Sequence, residues 1–339
     1  MSKTCSFSAV VPVAGTGTRL RPHTYTYPKV LLTVGHKPIL GHILDQLTDI
    51  GAGSVCLVVG HFGEKIREYV KTAYPSLNVT YVEQKEQKGL GHAIWLTAEH
   101  VKGPVFILLG DTIIAADMQQ FIKFEEDAVG VREVADPRRF GVVETTENGY
   151  IKRITEKPEK PASNSVVVGA YSFKDSTLLY SALNDLVISQ KTTRGEIQLT
   201  DAIQSLVSRG HNIRPVPIQG WYDCGKPSTL LATNRYILKK YGQQTANADC
   251  LVVPPVYIAS TASVSNSIIG PYVSVGDGVF IKNSIISDSI INEKARIADM
   301  VLSDSLVGPG AALLGRKDHI NVGESSEINL GRPGECLEE

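Results

Sequence analysis

A short stretch near the start of this chain has the residue types and spacing to hold a phosphate. Ala14-Gly15-Thr16-Gly17-Thr18-Arg19 directly follows the apolar run Phe7 to Val13, and Pro28-Lys29 comes soon after. An apolar, β-branched run bounded by glycines reads as a buried strand, and two glycines two apart let the backbone turn so that successive N–H groups face an anion. Arg19 and Lys29 bring positive charge to the same mouth. Pro28 should hold Lys29 on a loop rather than in a helix, because the residue before a proline is kept extended. The ligand that suits such a mouth is a nucleoside triphosphate. Two common phosphate loops do not fit: one needs Gly-Lys-Ser/Thr, and the dinucleotide fingerprint needs a third glycine where Leu20 stands.

Two carboxylates complete a possible reaction centre. Gly110-Asp111 closes the apolar run Val105 to Leu109, and Asp223 lies in Trp221-Tyr222-Asp223-Cys224-Gly225. Two acids from distant segments beside a phosphate site are what Mg²⁺ requires, since it takes oxygen ligands and completes its shell with phosphate and water. A helix cap or a turn is the competing role for an aspartate at a strand end.

The elements that position these residues follow from the apolar pattern. Strands are expected at Phe7 to Val13, Ser54 to Gly60, Asn78 to Glu83, Val105 to Leu109, Ser165 to Phe173 and Ile213 to Ile218. Ile39, Leu40, Ile43, Leu44 and Leu47 recur at helical spacing after Pro38, and Gly225 to Tyr241 reads as another helix. The alternation marks an α/β domain with a mixed, mostly parallel sheet, whose ligand lies at the carboxyl ends of the strands. After a polar stretch from Gly242 to Asp249 the grammar changes. Asn266-Ser-Ile-Ile, Asn283-Ser-Ile-Ile and Met300-Val-Leu-Ser recur at a constant 17-residue spacing, with apolar anchors such as Ile269, Ile286 and Ile297 between small residues. Such a period predicts a short parallel β-helix of about four coils. The expected domains are therefore residues 1–245 and 250–330.

Composition limits the function classes. The chain has 339 residues, of which 42% are apolar, and its formal charge is −1, so no global basic field marks a nucleic-acid or membrane binder. No apolar run is long enough to span a membrane, and Met1 to Val13 lacks the order of a signal peptide, which makes the cytoplasm the expected location. The five cysteines have no C-x-x-C spacing, so neither disulfides nor structural zinc are expected; Cys5 and Cys56 read as buried small hydrophobes, and Cys224 as a packing residue beside Asp223.

The chain resembles sugar-1-phosphate nucleotidylyltransferases that carry a C-terminal left-handed β-helix. The resemblance rests on Pro12 to Arg19, Pro28-Lys29, Gln84 with Lys88-Gly-Leu-Gly-His-Ala93, Gly110-Asp111, Phe140-Gly-Val-Val-Glu144, Glu156-Lys-Pro158, Gly195-Glu-Ile-Gln-Leu-Thr-Asp201 and Trp221 to Gly225. The opening loop and the Gly-Leu-Gly-His-Ala run are most similar to bacterial UTP:glucose-1-phosphate uridylyltransferases. The segments at Phe140 and Glu156 are closer to glucose-1-phosphate thymidylyltransferases and mannose-1-phosphate guanylyltransferases. Thymidylyltransferases usually carry one more glycine in the opening loop, so the base stays open between UTP and dTTP.

The resemblance implies a Rossmann-like nucleotidyltransferase domain and assigns roles residue by residue. Ala14, Gly15, Thr16, Gly17 and Thr18 would hold base and phosphates, with Gln84 and Gly89 reading the base. Arg19 would bind departing pyrophosphate, and Lys29 would bridge the reacting phosphates. Asp111 and Asp223 would hold Mg²⁺, Asp111 also belonging to the catalytic set with Arg19 and Lys29. Gly141, Glu156, Lys157, Gly169 and Glu196 would bind the sugar phosphate, probed as glucose 1-phosphate first. The nucleophile is already an anion, so no general base is needed, and His23, His61 and His92 are expected to be structural or peripheral; His92 alone lies in the base loop. Two other classes remain as alternatives: a regulatory sugar-nucleotide-binding subunit, and a bifunctional enzyme whose β-helix transfers an acyl group, for which the lone downstream His319 is a poor endowment. The β-helix also leads us to expect a homo-oligomer.

Overall fold

The computed structural model describes residues 7–123, 125–242 and 249–316. Its first part is built on a nine-stranded mixed sheet. The parallel half runs in the order β4 (Val105–Leu108), β1 (Ser8–Pro12), β2 (Ser54–Val59) and β3 (Val79–Glu83). Ala9, Val10 and Val11 of β1 are fully buried, as befits a central strand covered on both faces. Helix α1 (Ile39–Asp49) turns Ile39, Leu40, Ile43, Leu44 and Leu47 inward against it, the expected face. Helix α2 (Gly63–Ala73) connects β2 to β3.

The other half of the sheet is antiparallel except at one edge pair. It is organised around the long β9 (Ser165–Phe173), which pairs with β4, with β6 (Asp127–Glu133) and with β7 (Gly141–Thr145); β8 (Ile151–Glu156) extends β7, and β10 (Ile213–Pro217) lies parallel to β6. Helices α3 (Leu90–Trp95), α4 (Ser176–Ile188) and α5 (Leu199–Ser208) cover this side. The short antiparallel pair β5 (Thr112–Ala115) and β11 (Gly220–Asp223) stands outside the main sheet. All six expected strands are present with ends trimmed by about a residue. Of the strands not anticipated, β6 to β8 and β11 carry charged residues or glycine with weak alternation, whereas β5 is a buried apolar segment of only four residues.

The repeat folds as the expected β-helix, but its constant 17-residue period is corrected: Ile268 pairs with Ile285, 17 residues on, whereas Ile285 pairs with Val301, only 16 on, so the later coil is one residue shorter. Three four-stranded parallel sheets stack Cys250–Val252 on Ser267–Ile269, Ile285–Ile286 and Val301–Leu302, and repeat this for the other two sides of a left-handed β-helix. Its interior is an aliphatic column that includes Val256, Ile269, Val275, Ile281, Ile286, Ile291 and Ile297. Helix α6 (Pro227–Tyr241) docks it onto the first domain. The fully buried Asn234 accepts from Gly35 N and Ser274 Oγ, both at 2.7 Å, and donates to Tyr272 O at 3.2 Å. Beside it Arg235 pairs with Asp288 and with Asp304. Cys56 and Cys224 are buried free thiols, whereas Cys5, Cys336, His319 and the coils expected beyond residue 316 lie outside the described residues.

Candidate active site

The site is assembled at the carboxyl ends of β1 and β4, where the glycine loop and Asp111 emerge. Gly17 has φ +63°, and a Cβ there would stand 2.9 Å from Lys29 Cβ, so the loop needs glycine both for its backbone and for the passing lysine stem. The expectation for Lys29 is corrected in one respect. A loop is expected at this residue, but the extended Pro28 caps a single 3₁₀ turn, Lys29–Leu31, and Lys29 is its first residue. The turn buries Lys29 and aims Nζ at Asp111 Oδ2, 2.6 Å away.

Asp111 stays about one-third exposed, with its side chain at 35%. Burial pushes its carboxyl up, but Lys29 and then Arg19 reverse this and hold it below its ordinary value. Antiparallel pairing of β5 with β11 sets Asp223 opposite Thr112, and Cys224 N donates to Asp111 O at 2.9 Å, so the two acids become neighbours. Burial, then the like charge of Asp111, raises the Asp223 carboxyl despite Lys29 and Arg19. Arg19 reaches the same spot: a Cβ on Gly225 would lie 2.8 Å from Asp223 Oδ1 and 3.0 Å from Arg19 Nη2. Among the described residues no three acids, histidines or cysteines are grouped so as to hold a metal ion, so a cation here would have two carboxylates and would draw its other ligands from substrate and water.

Two cavities adjoin at Arg19 and Asp111. One, of about 380 Å³, is lined by Ala14, Gly15, Gly17, Thr18, Lys29, Gln84 and Gly89 among others. The second, of about 880 Å³, takes in Gly141, Glu156, Lys157, Gly169 and Asp223; Glu196 borders both. Thr16 is the one expected site residue that lines neither; it is exposed on the loop. Gln87 Nε2 ties the base loop to the glycine loop through Ala14 O at 2.9 Å. Gly89, at φ +105°, presses against the Glu196 segment, where a Cβ would be 2.6 Å from Ile197 O. Gln84 is buried, and its Nε2 lies 3.1 Å from both Gly89 O and His92 Nδ1.

In the larger cavity Glu156 accepts from Thr200 Oγ1 at 2.9 Å and pairs with Lys157 Nζ at 3.1 Å. Sequence reasoning missed several residues here. Arg194 donates to Lys157 O at 2.8 Å, and Arg138, Arg139 and Lys226 add positive charge to the rim. Trp221, edge-on to Phe140 at 5.1 Å, has a buried indole N–H without a partner among the described residues. Trp221 opens the Trp221 to Gly225 motif and Arg194 immediately precedes the one at Gly195, and that adjacency was the available signal.

An α/β domain with a glycine loop, a buried lysine and paired acids between two cavities bordered by arginine and lysine has the parts of a nucleotide-handling transferase. The chain belongs to the nucleotidyl transferase family, whose model matches residues 8–240. It is 32% identical, over 93% of its length and 98% of the relative's, to the low-salt glycan biosynthesis nucleotidyltransferase Agl11 of Haloferax volcanii. The UTP–glucose-1-phosphate uridylyltransferase AglF of the same organism is 38% identical over 65% of this chain and 91% of its own. A glucose-1-phosphate thymidylyltransferase of Streptomyces antibioticus is 30% identical over 88% of this chain and 91% of its own.

Proposed function

We propose that this protein transfers a nucleotidyl group from UTP or dTTP to a hexose 1-phosphate, glucose 1-phosphate first among them, releasing pyrophosphate. The observation that carries the reading is the junction at Asp111, where the cavity bordered by the glycine loop and Gln84 meets the one bordered by Glu156 and Lys157. An oxygen of the sugar 1-phosphate attacks the α-phosphorus in line, the bond from the α-phosphorus to the bridging oxygen breaks, and the electron pair leaves with pyrophosphate. Lys29 and Arg19 neutralise the transferring and leaving groups, while Glu156 and Glu196 accept from sugar hydroxyls and Lys157 meets the sugar's phosphate.

Asp111 and Asp223 fit Mg²⁺: both are oxygen donors set side by side, and a cation would relieve Asp223, whose carboxyl is raised first by burial and then by the like charge of Asp111. The ion would supply charge neutralisation at the phosphates. The regulatory-subunit alternative has no use for both acids beside a buried lysine. No helix among the described residues is long and apolar enough to cross a membrane, and the substrates are those of the cytoplasm, where we place the protein. We further propose that it acts as a homo-oligomer. Coupled release of pyrophosphate, dependent on both the NTP and the sugar 1-phosphate, tests the reaction; hydrolysis of NTP without the sugar would contradict it.

A further inference from the structure

We infer that His92 fixes which face of the Gln84 amide meets the nucleobase, and thereby selects a pyrimidine with a ring N–H over one with a bare ring nitrogen. This rests on the base-reading role proposed for Gln84. Gly89 O can only accept, so the atom of Gln84 that lies 3.1 Å from it must be the amide nitrogen. That nitrogen has two hydrogens. The second meets His92 Nδ1, also at 3.1 Å, which requires the imidazole proton to sit on Nε2. Both donors of Gln84 are then committed inside the protein, and the group left for a ligand is Oε1, an acceptor.

Uracil and thymine carry N3–H, which such an oxygen accepts. Cytosine has an unprotonated N3 at the same place, so two acceptors would face each other. UTP and CTP share ring size, ribose and triphosphate, which makes their ratio a readout of the amide's orientation rather than of cavity volume. His92 is itself held: its ring stacks on Trp95 with centroids 5.9 Å apart and planes at 25°. Burial keeps the imidazole below its ordinary value, Lys88 lowers it further and Glu86 opposes; these are the charged groups that act on the ring among the described residues. A proton added at Nδ1 would turn that atom from acceptor to donor, and the amide would lose one of its two anchors. His92 is thus a positioning residue, acting through Gln84.

The test uses the full chain with MgCl₂, and measures binding of UTP and CTP by calorimetry between pH 8 and pH 5.5, alongside nucleotide-sugar formation, in wild type, His92→Phe and His92→Asn. Phenylalanine keeps a ring for Trp95 but offers no acceptor; the asparagine oxygen can occupy the Nδ1 position. Wild type should prefer UTP by about tenfold or more, the value of one misdirected hydrogen bond. Its preference should shrink as the pH falls below 6.5, the ordinary histidine value. His92→Phe should lose most of the preference at every pH, through KM for UTP rather than kcat, and His92→Asn should retain it without the pH dependence. If His92→Phe keeps the wild-type ratio, if His92→Asn fails as His92→Phe does, or if wild type binds both nucleotides equally, the inference is overturned. Should His92→Phe not fold, the wild-type pH profile set against His92→Asn decides alone. A His92-dependent UTP preference without nucleotide-sugar formation would sustain this inference and sink the proposed reaction instead.

Discussion

Lys29 and Asp111, 2.6 Å apart, tie the two cavities together. Asp111→Asn keeps an oxygen for Lys29 but removes the charge that a cation would need. We expect turnover to fall by at least about a hundredfold, in line with the loss of one electrostatic element of a transfer site, with a melting temperature within a few degrees of wild type. Pyrophosphate release and a thermal melt check this; a variant with most of its activity would show that Asp111 is only a turn residue. That these residues share one mouth was legible in the sequence, because a strand, a glycine loop and a fixed charge leave few places for a phosphate. The amide orientation of Gln84 was not, since it depends on Gly89 O and His92 Nδ1 meeting one nitrogen in space.

At the level of elements, α1 is locked to the Thr33–Val34 and Lys37–Pro38 hairpin by buried His42, whose Nε2 lies 2.8 Å from Val34 O. Burial pushes the imidazole down from 6.5 to about 4. The unfolded chain takes up the proton at its ordinary value and the folded one only near 4, so the stability it contributes is complete above pH 6.5 and is lost as the pH falls toward 4. Over that window the wild type should lose about 3 kcal/mol more than His42→Gln, which keeps a donor for Val34. Urea denaturation across pH 4.5 to 7 measures it, and parallel slopes for the two proteins would refute it. Apolar periodicity revealed α1 and the parallel strands because each buries a continuous face. It did not reveal β7, β8 and β11, because these line the larger cavity and carry Gly141, Glu156 and Asp223, residues placed for a ligand rather than for a core.

Across the whole molecule, the β-helix is joined to the first domain by apolar packing of Ile290 and Leu306 and by the buried amide of Asn234 on α6. Asn234→Ala would leave Gly35 N and Ser274 Oγ without the acceptor they share and would take from Tyr272 O one of its two donors, the other being Ser289 N. The expected cost is about 2–4 kcal/mol, read as a lower melting temperature, with kcat/KM spared because every proposed site residue precedes α6. On the outer surface, Leu251, Ile268, Ile285 and Val301 stand in register as an exposed aliphatic row on one β-helix face. A twofold axis through it would set the row of one copy on the row of another, beside the mutually bonded amides of Asn266 and Asn283. Ile285→Lys should therefore reduce the molar mass seen by light scattering, and an unchanged mass would place self-association elsewhere. The central claim, nucleotidyl transfer at the junction of the two cavities, is tested most directly by pyrophosphate release over a matrix of UTP, dTTP, CTP, ATP and GTP against several sugar 1-phosphates, with and without chelator. The account predicts release with UTP or dTTP and a hexose 1-phosphate, abolished by chelation; no release with any pair, or a preference for a purine triphosphate, would contradict it.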